Sequence, residues 1–365
     1  MEVFEQILRG AIAASASDIH IKIGVPITFR ISGELVPVEG SLPTAEWIER
    51  VLNAIVPSHL RERLAEDHEV DFAYTTAEFG RFRVNVFQQR GNLVLAMRLV
   101  KSTTQDFRSL NLPPIIRQIA DTPRGIVIIA GATGSGKSTT LAAMIEHINQ
   151  TARKHIITLE DPIEYLFTDR MAIIEQREVG LDTASFSSGL KNVLRQDPDV
   201  LVIGEMRDPA SIAAAISAAN IGHLVISTLH TADAAKSIQR ILEFFPGEDR
   251  ESARRQLATT LHAVICQKLI STSQGPRVPA VEILLNNAAV AKSIHRDELE
   301  KLHGTIEMGV GDGMQTFDQA LYELAKSGRI TQAEALEHSP TPEALKMRMQ
   351  GVVLSESRRI LGSRD

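Results

Sequence analysis

The chain opens with apolar residues at helical spacing. Phe4, Ile7, Leu8 and Ile12 recur every three or four positions, which predicts an amphipathic helix over residues 3–15. The period then changes to two. "DIHIKIG" and "ITFRISGELVPV" alternate apolar and polar residues, with a hairpin turn at Gly33. Helices are expected over residues 45–55 and 60–67, and alternation returns in "EVDFAYTT", "GRFRVNVFQQRG" and "LVLAMRLV". Residues 1–100 therefore read as an α+β domain built on an antiparallel sheet.

The polar stretch "KSTTQDFRSLNLPP", residues 101–114, reads as a linker closed by Pro113 and Pro114. Beyond it the strands lose their alternation. "GIVIIAG", "KHIITLE", "DVLVIGE" and "GHLVISTLH" are apolar almost throughout and are separated by helical segments. That grammar predicts a parallel sheet covered on both faces, a doubly wound α/β core within residues 115–365. From Glu248 onward the pattern predicts mostly helix. The last stretch, residues 355–365, is polar enough to fray.

Bulk properties narrow the classes. A length of 365 residues favours two or three domains, and 44% hydrophobic with 23% charged residues is ordinary globular composition. The formal charge is 39 − 45 = −6, and aromatic residues make up 4%. An acidic chain poor in stacking groups argues against nucleic acid as a partner. Cys266 is the single cysteine, so an internal disulfide and a multi-cysteine zinc site are excluded. The first residues lack a basic segment followed by a long apolar one, and no apolar run reaches the roughly 20 residues of a membrane helix. A cytoplasmic protein, working beside a membrane, is the expectation.

One segment carries chemistry on its own. "GATGSGKST", residues 131–139, fits G-x-x-x-x-G-K-[ST] between an apolar strand and a helical segment. Gly131, Thr133, Gly134, Ser135, Gly136, Lys137, Ser138 and Thr139 would wrap backbone N–H groups around the phosphates of ATP. Lys137 would reach the terminal phosphates, and the Ser138 hydroxyl would sit on Mg²⁺. A chance glycine-rich turn is the alternative, against which the flanking strand and helix count.

Proteins with such a loop commonly end a neighbouring strand in an aspartate that helps hold magnesium. Here "VLVIGE" puts Gly204 at that place and Glu205 after it. Glutamate is one methylene longer, so Glu205 could reach back to the water shell of the metal. "ITLEDPIEY" supplies Glu160, Asp161 and Glu164 at the end of another apolar strand, and Glu164 is the choice for aligning the attacking water. An exposed carboxylate in a loop is the plainer reading of Glu164. His230 follows the strand "LVISTL" at its carboxyl end, whereas His223 precedes it; a hydrogen-bonded structural role is open for both. Arg83 and Arg98 lie on strands of the first domain, either as ordinary surface arginines or as charge lent to a transferring phosphoryl group.

Taken together, "GATGSGKST", "ITLEDPIEY", "EQREVGLDT", "LRQDPDVLVIGEMRDP" and "GHLVISTLHTADAAKSIQRI" resemble the Walker A, Asp box, linking, Walker B and His box segments of the secretion and type IV pilus ATPases. "SASDIHIKIGVPITFRISGELVPV" and "GRFRVNVF" resemble that family's N-terminal PAS-like domain. The resemblance implies a RecA-like P-loop ATPase core, ATP and Mg²⁺ as cofactors, and a ring-forming homo-hexamer. It also implies an inner-membrane pilus platform protein as partner, at the cytoplasmic face of that membrane. The chain starts directly at the PAS-like segment and lacks a four-cysteine element, which resembles the retraction branch of the PilT and PilU type. "AVAKSIHRDE", residues 289–298, keeps Ile294 and Arg296 of that branch's retraction helix but little else. This favours the PilU type, with a companion retraction ATPase as a further partner. Within the family pattern Lys137 and Ser138 serve phosphate and magnesium, Glu164 the water, Glu205 the Walker B role and His230 the His box. Arg83 and Arg98 match paired arginines that close on the γ-phosphate.

Overall fold

The computed structural model describes residues 1–102, 104–272 and 275–351; the polar end expected to fray lies outside them. The chain divides into two compact units. The first holds residues 1–103 together with Ile163–Leu166, and the second holds the rest.

The first unit contains helices α1 (Glu2–Ala13), α2 (Ala45–Ile55) and α3 (Arg61–Asp67). Its strands are β1 (Asp18–Ile21), β2 (Thr28–Ile31), β3 (Glu34–Pro37), β4 (Glu69–Thr76), β5 (Gly80–Gln89) and β6 (Asn92–Leu99). They form an antiparallel sheet in the order β3-β2-β1-β6-β5-β4. Alternation sends Phe82, Val84 and Val86 of β5 to one face, where Phe4 and Leu8 of α1 and Ile48, Val51 and Leu52 of α2 cover them. The helical spacing of those residues is what lets each helix present a single apolar stripe.

The other face carries charge. Asp18 of β1 stands directly opposite Arg30 of β2 and Arg98 of β6, and Arg98 stands opposite Arg83 of β5. Facing like charges destabilise a sheet unless something neutralises them. Asp18 does so: its carboxylate accepts from Arg98 Nε at 2.8 Å and from Ser17 Oγ at 2.7 Å, with Arg30 Nε at 3.7 Å. Arg83 reaches Asp71 of β4 at 3.7 Å. Burial pushes the Asp18 carboxyl up, and the hydrogen bonds from Ser17 and Arg98 outweigh it, holding the group below its ordinary 3.8. An Asp18→Asn variant is therefore expected to lose roughly 1–3 kcal/mol of stability at neutral pH. Because the folded pKa is depressed, that stability is present above the ordinary value of 3.8 and is lost as pH falls through the lowered one. Denaturation curves across acid pH should show the gap between wild type and variant closing; a pH-independent gap would contradict the assignment.

The second unit holds α4 (Ile115–Ala120), β7 (Gly125–Ala130), α5 (Lys137–Thr151), β8 (His155–Glu160), β9 (Ile173–Glu178) and α6 (Phe186–Val193). Next come β10 (Val200–Ile203), α7 (Pro209–Asn220), β11 (Leu224–Leu229), α8 (Ala234–Glu243), α9 (Gly247–Thr260), β12 (Leu261–Thr272) and β13 (Gly275–Leu285). Helices α10 (Ala288–His295), α11 (Leu302–Met308), α12 (Phe317–Lys326), α13 (Gln332–His338) and α14 (Pro342–Met349) follow. The sheet order is β13-β12-β7-β11-β10-β8-β9. All neighbours are parallel except β13, which is antiparallel to β12.

Both faces of this sheet are dry, which explains the unbroken apolar runs. Ile126, Ile128 and Ala130 of β7 pack on one side with residues of α7, α8 and α9, while Val127 and Ile129 pack on the other with α4 and α5. Of the stretch read as a linker, Leu112 is buried and Phe107 and Leu110 pack on the second cluster.

Beyond Glu248 helices predominate, as expected, but β12 and β13 interrupt them and were not foreseen. "LHAVICQKLIST" and "GPRVPAVEILL" are buried for most of their length, so neither a period of two nor of 3.6 marks them. Pro276 and Pro279 are tolerated because β13 is an edge strand of the sheet, with β12 as its one neighbouring strand. Inside this hairpin Glu282 is buried opposite Cys266. It accepts the N–H of Ala234 at the start of α8 and of Phe317 at the start of α12. Burial pushes its carboxyl up, and those two donors pull it partly back.

Candidate active site

Parallel order brings the carboxyl ends of β7, β11, β10 and β8 side by side, where ligands of such sheets bind. The loop of residues 131–136 leaves β7 and runs into α5, whose first residue is Lys137. Gly136 caps that helix at φ +92°, a conformation that suits glycine. The unbonded N–H groups of the first helical turn and the helix dipole make the loop a phosphate cradle. Lys137 is buried and lies across it, donating to the carbonyls of Gly131 at 2.9 Å and Ala132 at 3.0 Å. Ser135 is buried too, and its Oγ has no hydrogen-bond partner. Thr133 and Gly134 are exposed at the loop tip, and Ser138 and Thr139 are half-buried in the first turn of α5.

Glu205 lies two residues past β10. Its Oε2 accepts from Arg207 Nε at 2.8 Å, and its Oε1 is 3.7 Å from His230 Nε2, the residue that follows β11. Arg207 also reaches Asp161, beyond β8, at 3.5 Å. Glu205, His230, Arg207 and Asp161 are thus joined across three adjacent strand ends. His223 sits at the other end of β11, its Nδ1 bonded to the Ala218 carbonyl at 3.0 Å. Glu160 is turned to its own neighbours, accepting from Thr158 at 2.7 Å and Gln176 at 3.2 Å.

The close approach at Gly204 accounts for the shifted acid. Its N–H donates to Leu159 O at 2.7 Å, and a Cβ there would stand 3.1 Å from that oxygen and 3.3 Å from Glu160 Cα. The backbone at the end of β8 crowds this position, so an aspartate here would have to push Leu159 and Glu160 aside, and the carboxylate is carried by the next residue. Gly204→Ala is expected to cost about 1–3 kcal/mol in chemical denaturation. A cost indistinguishable from zero would mean the strands can part at no expense.

Glu164 and the two arginines belong to the first unit. Glu164 is exposed between buried Ile163 and Tyr165. Tyr165 forms a bridge with Lys101, whose ammonium lies 5.5 Å from the ring centre. Arg83 and Arg98 are direct cross-strand partners on one face, so two residues fifteen apart in number form one cationic pair.

Three further residues escaped the sequence reading. Arg207 lies inside the segment "GEMRDP", where its contact with Glu205 has no local signature. Asp18 and Gln267 act through partners far away in the chain, with no signal short of the fold itself.

The family described as Type II/IV secretion system protein matches residues 1–312. The chain is 39% identical over 345 residues to the type IV pilus ATPase PilU of Pseudomonas aeruginosa, covering 94% of this chain and 90% of that protein. It is 37% identical over 340 residues to the type IV pilus retraction ATPase PilT of the same organism, covering 93% and 98%. Among solved structures it is similar to the crystal structure of the pilus retraction motor PilT with bound ADP. That match has TM-score 0.87, 40% identity, and covers 93% of this chain and 98% of that one.

Proposed function

Because the chain belongs to the Type II/IV secretion system protein family, we propose that it is an ATP-hydrolysing motor that drives type IV pilus retraction as a homo-hexamer. The observation that carries the hydrolytic part is Glu205, held between His230 and Arg207 at the end of β10, beside β11, which bears His230 and separates β10 from the phosphate-loop strand β7. The pilus comes from the relatives, PilU and PilT, which resemble both units of the chain.

In this reading the N–H groups of residues 131–139 hold the phosphates and Lys137 turns from the loop carbonyls to the terminal ones. The donor set suits magnesium, which favours a hydroxyl, a carboxylate and phosphate oxygens while keeping part of its water shell. Ser138 and Glu205 would hold Mg²⁺, which would supply positive charge to offset that of the phosphates. Glu164 aligns the attacking water. His230, beside Glu205, responds to the γ-phosphate through that carboxylate. Arg83 and Arg98 supply positive charge to the transferring phosphoryl, in their own subunit or a neighbour's. Movement of the first unit then follows nucleotide state. Its mechanical output goes to a platform protein at the cytoplasmic face of the inner membrane, with a companion retraction ATPase as a further partner. Among the described residues no helix is long and apolar enough to cross a membrane.

A deletion strain tests the biological part. Surface pili that persist but fail to retract, with twitching lost, are the expected result. Absence of pili would identify an assembly motor instead. Retraction that still runs on a companion ATPase would mark this chain as the accessory subunit.

A further inference from the structure

Strand β12 carries a buried glutamine to the base of the phosphate loop. Cys266 pairs with Ala130, the last residue of β7, so Gln267 comes level with the first residues of the loop. Gln267 is 4% exposed, in a strand otherwise filled at that level by Cys266, Ile265 and Val264. Burying an amide is costly unless both of its ends are used.

One end is bonded to α5 and the other lies against the loop. Thr140, buried in the first turn of α5, donates its hydroxyl to Gln267 Oε1 at 2.7 Å. With the oxygen so engaged, the amide nitrogen faces Gly136. A Cβ on Gly136 would stand 2.6 Å from Gln267 Nε2, and one on Gly131 would stand 2.5 Å from the backbone carbonyl oxygen of Gln267, a contact of the main chain. The glutamine therefore touches the loop where it leaves β7 and where it enters α5. These are the two fixed points between which its N–H groups are strung.

We propose that Gln267 is a positioning residue for nucleotide binding. Its side chain, bonded to Thr140 and lying against Gly136, fixes the entry of the loop into α5, so that Lys137 and the backbone N–H groups meet phosphate already arranged. This deepens the ATPase reading and rests on it. Methionine would fill the same space but leave the Thr140 hydroxyl without its acceptor. Glutamate would keep the acceptor and put negative charge against a phosphate loop, so the two substitutions separate shape from polarity.

The test compares wild type with Gln267→Met, Gln267→Glu, Thr140→Val and the Gln267→Met/Thr140→Val double variant. Binding is read with ADP and with a non-hydrolysable ATP analogue, so that it reports on the loop whether or not turnover occurs. KM, kcat and thermal melting without nucleotide are measured beside it. Gln267→Met and Thr140→Val should each weaken nucleotide binding roughly tenfold, with KM rising more than kcat falls. Gln267→Glu should be worse, and the double variant no worse than either single. Two results would overturn the proposal: Gln267→Met binding nucleotide like wild type while melting lower, or losses that multiply in the double variant. Wild type that fails to bind either nucleotide would instead overturn the ATPase reading, a separate outcome.

Discussion

A Glu205→Gln variant is expected to bind ATP within a few-fold of wild type and to lose roughly 10²–10³-fold in turnover. The substitution keeps length and a carbonyl acceptor, so the contact with Arg207 Nε, 2.8 Å in the wild type, can survive. What disappears is the negative charge between Arg207 and His230. Of its two carboxylate contacts Arg207 would keep only that with Asp161, at 3.5 Å, and the carboxylate assigned to the magnesium water shell would be gone. Since the phosphate cradle lies in the loop after β7, on a different strand end, ground-state binding should hardly move. Phosphate release and nucleotide titration on the same preparation separate the two. Turnover within tenfold of wild type would move the Walker B role elsewhere, with Asp161, the other carboxylate that Arg207 reaches, first in line.

Glu164→Ala is expected to leave ATP binding intact and to cut hydrolysis by roughly 10²–10⁴-fold, the range for loss of a positioned base. The argument is one of placement. Ile163 and Tyr165 are buried, so the exposed Glu164 between them is displayed on an extended segment anchored on both sides. Leu166 N–H donates to the Lys101 carbonyl at 2.8 Å, and that anchors the segment to the first unit. A carboxylate that travels with this unit can align water in one nucleotide state and leave it unaligned in another, which is a route from hydrolysis to movement. Turnover at the wild-type rate would exclude Glu164 as the water-aligning group. Binding lost together with turnover would instead mean that the segment shapes the nucleotide site.

How much of this could be read from the chain depended on whether the partners were neighbours in sequence. The phosphate loop is contiguous, so its glycines, Lys137 and Ser138 declared themselves. The strands feeding the site were legible because burial on both faces left them apolar throughout. Gly204 posed a question that only the fold answers, since the oxygen it would strike belongs to Leu159 of another strand. Arg83 and Arg98 were matched to a pair by the family pattern alone; that they stand directly opposite each other needs the register of β5 against β6. Gln267 was illegible, because the hydroxyl it serves lies on Thr140, 127 residues earlier in the chain. The hairpin of β12 and β13 was misread for a different reason. Its residues are buried on both faces and carry two prolines at a sheet edge, so no period survives to name the element.

The most direct test of the account is steady-state phosphate release by the purified wild-type chain, with its mass in solution measured by light scattering on the same sample. The account predicts turnover from an assembly with the mass of a hexamer. A chain that binds nucleotide, stays smaller than a hexamer and releases no phosphate at any protein concentration would contradict it.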